Sequence, residues 1–329
     1  MIEQKKVNQL KPGDTVFHFL LKRKSELKIT KSNRQFLDLE LGDETGYIPA
    51  KVWEGFQNLK ITDDSVKILK VAGTVDEYQG SPQVKVDKIR PALPEDNINV
   101  EDFLPKSKRS LELMLSELNE RIDKISNPFI NQLLSLIFDS DNLDKYKRVP
   151  AGKAWHHAYI HGLLEHTLEI VKICDLMCDI HPEIKRDTLI CGALLHDFGK
   201  IEELIYDSNF DYSDKGKLIG HIVIAALLIE KKADQINGFP QDLKNQIIHL
   251  VLSHQGKLEF ASPVEPKTLE AIVLYHADEL SAKTNAYKQA IKAEEKSGKS
   301  WTRFLPLAGT SLMIPKETED EAPKESLFD

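Results

Sequence analysis

The sequence predicts a multidomain protein of the β plus all-α kind: a five-stranded barrel followed by an all-helical domain. Three observations lead there. Residues 1–95 hold five short segments rich in β-branched and aromatic residues, parted by Gly, Pro, Asp and Asn. From Leu111 onward the apolar residues recur at helical rather than alternating spacing. Between the two regimes, Pro91 and Pro94 with the acids Glu95 and Asp96 interrupt regular structure.

The five segments are VFHFLLK (16–22), QFLDLEL (35–41), GYIPAKVW (46–53), VKILKVAGTV (66–75) and PQVKVDKI (82–89). EGFQNLKITDDS, after the third, has room for one short helix. Five strands with a helix between the third and fourth is the order of an OB-fold. Its first turn is basic, with six positive residues and one acid between Lys22 and Arg34. A basic groove with stacking rings holds single strands without reading sequence. The candidates are Lys22, Arg23, Lys24, Lys28, Lys31 and Arg34, with Phe36, Trp53 and Tyr78 as rings and Tyr47 as a further aromatic. The competing reading is a solvated hairpin edge that resists aggregation.

Residues 96–150 read as a helical linking or oligomerisation segment. Apolar positions 111, 115, 118, 122 and 125 mark one amphipathic helix, and FINQLLSLIFDS after Pro128 marks a second. Residues 151–314 form the helical domain, with helices expected over 154–180, 184–197, 216–236, 240–254 and 267–295. Residues 315–329 are acidic, poor in apolar side chains and expected to be disordered.

Composition narrows the class. With 41% hydrophobic and 29% charged residues the chain is an ordinary soluble one. It has no apolar run of the roughly 18 residues needed to span a bilayer, and MIEQKKVNQL reads as no signal peptide. Cys174, Cys178 and Cys191 lie in apolar helical stretches, as reduced cytoplasmic thiols do. The net charge of −8 is uneven: residues 1–95 carry +2 and the remainder −10. A nucleic-acid partner stays open, because binding follows the local patch rather than the sum.

The chemistry concentrates in Trp155–Lys200, which holds six of the eleven histidines and ends on the adjacent pair His196-Asp197. Burying an imidazole beside a carboxylate costs several kcal/mol unless each finds a partner, and a metal ion is the common one. Neighbours on a helix point about 100° apart, so they share an ion only near a helix end. Phe198-Gly199-Lys200 supplies that end. Further ligands are available at His166 upstream and at His221, His254 and Asp278 downstream, each in or beside an apolar helical run. Imidazoles and carboxylates without thiolates suit a divalent cation, Mn²⁺ first, with Co²⁺, Fe²⁺, Ni²⁺ and Mg²⁺ as alternatives.

The order His166, His196-Asp197, His221, His254, Asp278 resembles the HD superfamily of metal-dependent phosphohydrolases. The strings GLLEHT, LLHDFGK, GHI, LSHQG with SPVEPKTLEA, and HADEL are similar to one branch of it, the YhaM-type 3′-to-5′ exoribonucleases. The chain departs from that pattern twice, with His161-Gly162 where Gly-Gly is common and His254-Gln255 where His-His is common. The resemblance implies one ion on His166, His196, Asp197 and Asp278, and a second on His221 and His254 with Asp197 bridging. It also implies hydrolysis of the last phosphodiester of single-stranded RNA, and of single-stranded DNA as an open extension, by metal-bound hydroxide, releasing 5′-mononucleotides. Asp197 is then catalytic, Lys200 a contact to a phosphate oxygen, and His157 a substrate or leaving-group contact. Two other functions share these residues: an HD phosphohydrolase of nucleotides or cyclic dinucleotides, and a nucleic-acid-binding protein whose HD domain is structural. A homo-oligomer is the expected assembly.

Overall fold

The computed structural model describes residues 5–206, 210–306 and 308–315; the expected acidic tail lies outside them, apart from Pro315. The chain divides into two compact units, with Lys106 ending the main run of the first and Ser107 beginning the second.

The first unit is a closed barrel of β1 (Thr15–Ile29), β2 (Gln35–Asp43), β3 (Gly46–Val52), β4 (Ile68–Tyr78) and β5 (Ser81–Pro91) in the order β1-β2-β3-β5-β4. β1 pairs antiparallel with both β2 and β4, while β3 and β5 run parallel. This is OB-fold connectivity. Alternation turns Leu37, Leu39 and Leu41 of β2 and Ile48, Ala50 and Val52 of β3 inward.

The short helix expected between β3 and β4 is absent from residues 54–65, which form turns. The Asp63 carboxylate accepts from the backbone N–H and hydroxyl of Ser65, a local bond that competes with helix. Phe56 and Ile61 meanwhile plug the barrel core.

The second unit is helical. Its elements are α1 (Leu111–Asp123), α2 (Pro128–Ile137), α3 (Ser140–Tyr146), α4 (Gly162–Ile180), α5 (Arg186–Leu195), α6 (Lys200–Glu203), α7 (Asp214–Ile219), α8 (His221–Ala233), α9 (Gln241–Ser253) and α10 (Leu269–Glu294). A small ribbon, β6 (Leu204–Tyr206) with β7 (Phe210–Tyr212), follows α6. Ser110, Asn127 and Asp139 cap α1, α2 and α3 through their side chains. Within the stretch 96–150, residues up to Lys106 group with the barrel. Met114, Leu118, Ile130, Leu134 and Tyr146 of α1–α3 share one apolar core with Leu168, Val171, Leu194 and Leu250.

Two helix boundaries differ from expectation for the same reason. α4 starts at Gly162 rather than 154, because His157 (φ 42°) and His161 (φ 70°) sit in the left-handed region. Gly220 (φ 77°) separates α7 from α8. Such residues end a right-handed helix.

Candidate functional site

α5 ends at Leu195, and His196 and Asp197 occupy the tight turn before α6. Phe198 N–H bonds the Leu195 carbonyl at 3.1 Å and Lys200 N–H the Asp197 carbonyl at 2.9 Å. Phe198, buried and stacked on Tyr146 at a centroid distance of 5.3 Å, fixes the turn to the core. A side chain at Gly199 would place its Cβ 2.1 Å from the His221 carbonyl, so only glycine lets α8 begin this close.

Four imidazoles converge on the Asp197 carboxylate. Oδ2 lies 3.2 Å from His196 Nε2 and 3.8 Å from His166 Nε2; Oδ1 lies 3.2 Å from His221 Nε2 and 3.5 Å from His254 Nε2. Asp278 from α10 joins through Oδ1, 3.0 Å from His166 Nε2. The structure thus brings all six expected ligand residues together, with one Asp197 oxygen toward each pair of histidines.

The outer nitrogens explain this orientation. His196 Nδ1 is 2.8 Å from the Ala193 carbonyl and His254 Nδ1 2.7 Å from the Val251 carbonyl. A carbonyl only accepts, so each Nδ1 donates and the neutral ring offers its Nε2 lone pair inward. His221 Nδ1 meets Glu203 Oε1 at 2.9 Å. His166 Nδ1 meets Ser281 Oγ at 3.0 Å, whose hydroxyl donates to Glu169 Oε2 at 2.7 Å. Outer partners of this kind hold metal-ligating histidines in one tautomer. Glu203, Glu169 and Ser281 were not legible as site residues, although Ser281 follows Asp278 by one helical turn.

These donors fit a divalent cation. His166 Nε2, His196 Nε2, His221 Nε2 and Asp197 Oδ1 are buried without a hydrogen-bond partner, an arrangement that needs a positive charge among them. Burial pushes His166 down to about 4, so it is a neutral ligand at pH 7. Burial opposes ionisation of Asp197 and Asp278 too, yet Lys200 and His196 hold Asp197 well below the usual carboxylate range, and His166 does the same for Asp278. Burial also lowers His196 and His221, but Asp197 outweighs it and raises both.

The expected phosphate contact of Lys200 meets a different geometry. The residue is buried, and its ammonium donates to Asp197 Oδ2 at 2.6 Å and to the Ala151 carbonyl at 2.5 Å. His157 is wholly buried, its ring 5.1 Å from that of His166 and its Nε2 3.3 Å from Glu169 Oε2. The Gln255 amide sits 3.1 Å from His254 Nε2.

The barrel candidates divide. Lys22 continues the inward alternation of Val16, His18 and Leu20, just ahead of the β-bulge between Lys22 and Lys24, and its ammonium donates to the carbonyls of Ile61 and Asp63. Lys22 is 5% exposed and is therefore not a nucleic-acid contact. Exposed Lys24 pairs with Glu26, and exposed Lys28 with Glu26 and Asp38. Arg23 lies over the exposed ring of Tyr47, and Lys31 is exposed at the β1–β2 turn.

The remaining candidates gather on one outer face. Phe36 stacks on Trp53 at 4.9 Å, Arg34 covers Trp53 at 5.4 Å and pairs with Glu54, and Tyr78 is exposed. Phe36 is itself 8% exposed and backs Trp53 rather than offering a free ring. Lys51, which the sequence did not single out, lies over both Phe36 (5.3 Å) and Tyr78 (4.7 Å) and pairs across the sheet with exposed Lys85. Beside them is an open groove of about 470 Å³ lined by Arg34, Trp53, Glu54, Lys85, Val86 and Asp87.

An OB barrel joined to a helical domain with this His-Asp constellation defines a class, and residues 163–283 match the HD domain family. Three curated relatives refine it, each named 3′-5′ exoribonuclease YhaM. The Bacillus subtilis (strain 168) protein is 32% identical over 92% of this chain and 96% of its own. The Geobacillus sp. (strain WCH70) protein is 33% identical over 92% and 93%, and that of Listeria welshimeri 31% identical over 95% and 99%. The chain belongs to the YhaM family. Among solved structures, the second OB-fold domain of replication protein A from Methanococcus maripaludis aligns with 27% of this chain and 94% of its own at a TM-score of 0.23 and 20% identity. Among the described residues, no helix is long and apolar enough to cross a membrane.

Proposed function

We propose that the protein is a metal-dependent 3′-to-5′ exoribonuclease that releases 5′-mononucleotides from single-stranded RNA in the cytoplasm. One observation carries the reading: four imidazoles, three buried and that of His221 half-buried, each oriented by an outer partner, direct Nε2 at the two oxygens of one aspartate. His166, His196, Asp197 and Asp278 would hold one divalent cation, and His221 and His254, with Asp197 shared, a second. Mn²⁺ is the preferred ion, since imidazole and carboxylate donors without thiolate suit it. When bound, such ions supply Lewis acidity at the phosphate and lower the pKa of water.

The chain's own groups do the rest. Lys200 positions Asp197, setting which oxygen faces which pair of histidines. Glu203, Ser281 and the Ala193 and Val251 carbonyls hold the ring nitrogens that point away. The Trp53, Arg34, Lys51 and Tyr78 face of the barrel retains the strand, stacking on bases and neutralising phosphates without selecting sequence. The activity named for the relatives supports the substrate, and three free thiols, two of them buried, suit a reducing compartment.

RNA labelled at its 5′ end tests this. With Mn²⁺ the wild type should shorten it stepwise from the 3′ end, and Asp197→Asn should slow shortening by at least about 10³-fold while retaining the strand on a filter. Nucleotide turnover without shortening, or shortening by Asp197→Asn at the wild-type rate, overturns the reading. Repeating the assay with Co²⁺, Fe²⁺, Ni²⁺ and Mg²⁺ ranks the metals.

A further inference from the structure

Beside the six clustered ligands lies a second group of donors, of which only Glu169 already serves the main site, by accepting from the Ser281 hydroxyl that holds His166. Glu165 and Glu169 stand one turn apart on α4, flanking His166 in sequence, and His157 approaches from the loop before the helix. One ligand atom from each of the three falls within 4.8 Å of the others. The chain holds His157 there with force. Its backbone is left-handed (φ 42°), its N–H donates to Asn285 Oδ1 at 2.9 Å, and its carbonyl accepts from Ala151 N–H at 3.1 Å. A Cβ at Gly162 would come within 2.0 Å of that carbonyl, so glycine is required where α4 passes the loop.

The imidazole so placed is fully buried; its Nδ1 has no hydrogen-bond partner, its Nε2 faces only Glu169 Oε2 at 3.3 Å, and Glu165 Oε2 is buried without a partner as well. An unsatisfied nitrogen on a residue with 0% exposure is rare in a native interior. A purely structural histidine would find a carbonyl, as His196 and His254 do. We infer that His157, Glu165 and Glu169 form an additional divalent-cation site next to the His166 end of the Asp197 cluster. One imidazole and two carboxylates suit a first-row cation such as Mn²⁺ or Zn²⁺, and three protein ligands keep coordination positions for water or a substrate oxygen.

Equilibrium dialysis of the full chain against Mn²⁺, at a concentration saturating the wild type, decides it. Glu165→Gln, nearly isosteric, should bind one ion fewer per chain, or bind it at least 10-fold more weakly, and His157→Gln should lose the same ion. Both should melt with the wild type in EDTA. Asp197→Asn should show the complement, losing ions at its own cluster while keeping the one lost in Glu165→Gln. Unchanged stoichiometry and affinity in Glu165→Gln would mean that Glu169 simply pairs with a protonated His157, and the site falls while the Asp197 reading stands. Loss of every ion in Glu165→Gln also overturns it, by making Glu165 a support of the main cluster. Full metal content in Asp197→Asn would instead strike the proposed function.

Discussion

The helical unit buries its chemistry and the barrel displays it, and the two were legible to different degrees for that reason. Around Asp197 every polar atom must be matched inside an apolar core, so residue types and spacing are tightly constrained. A His or Asp set in such a run demands a charged or hydrogen-bonding partner. On the barrel, a lysine within a basic stretch serves equally well to solvate a strand edge or to bind a phosphate. All six ligands expected from sequence meet at one point, five of them buried and His221 half-buried. Of the six basic residues expected to bind nucleic acid, Lys22 is internal, and Lys24, Lys28 and Arg34 are paired with acids, Arg34 also joining the aromatic face.

The contrast should be largest in stability. Asp197→Ala leaves the Lys200 ammonium buried with only the Ala151 carbonyl, and breaking a buried pair this way costs about 3–5 kcal/mol. Lys28→Ala removes an exposed, solvent-screened pair and should leave the denaturation midpoint nearly unchanged. Urea denaturation in EDTA measures both. Equal losses would erase the distinction between the two regions.

In strand binding the ranking should reverse. Trp53→Ala removes a stacking ring worth about 1–3 kcal/mol, or roughly 5- to 150-fold in Kd for a single-stranded oligonucleotide. Lys24→Ala and Lys28→Ala should stay within about twofold, because Glu26 and Asp38 already neutralise them. A filter-binding series at fixed salt reads all three, and comparable losses would move the binding face to the β1–β2 hairpin.

Lys22 separates fold from function at similar magnitude. Lys22→Met leaves the buried Ile61 carbonyl without its donor, at about 1–3 kcal/mol, and frees the more exposed Asp63 carbonyl to water. Its effect should appear in the barrel's melting and leave the salt dependence of binding unchanged; a reduced salt slope would return it to the phosphate contacts.

What the sequence hid follows the same physics. The strands were readable from composition and spacing, and the alternation Val16, His18, Leu20 already carries Lys22 to the inward face; its place in a basic run hid that. Lys51 escaped notice because its partners Phe36 and Tyr78 come together only through β-sheet pairing. The segment after β3 has room for the short helix expected there, where turns instead deliver Phe56 and Ile61 into the barrel. In the helical unit the ligands were legible and their supports less so. Ser281 and Glu203 are ordinary polar residues until the fold sets them against His166 and His221.

The smallest effect tests the His161 departure. His161 stands at φ 70°, and its Nδ1 meets the Lys147 carbonyl just before α4. The left-handed region raises the energy of an L-residue by about 1–2 kcal/mol, and glycine escapes that penalty. His161→Ala loses the bond to Lys147 and keeps the strain; His161→Gly loses the same bond and relieves it. The glycine variant should therefore be more stable than the alanine variant by about 1 kcal/mol. His156 and His157, in the loop that this residue ends, should keep their positions in both variants, so strand shortening should differ little between them. Alanine equal to or above glycine in a denaturation midpoint would show that the histidine's backbone is not strained, and that its ring alone accounts for its place at the head of α4.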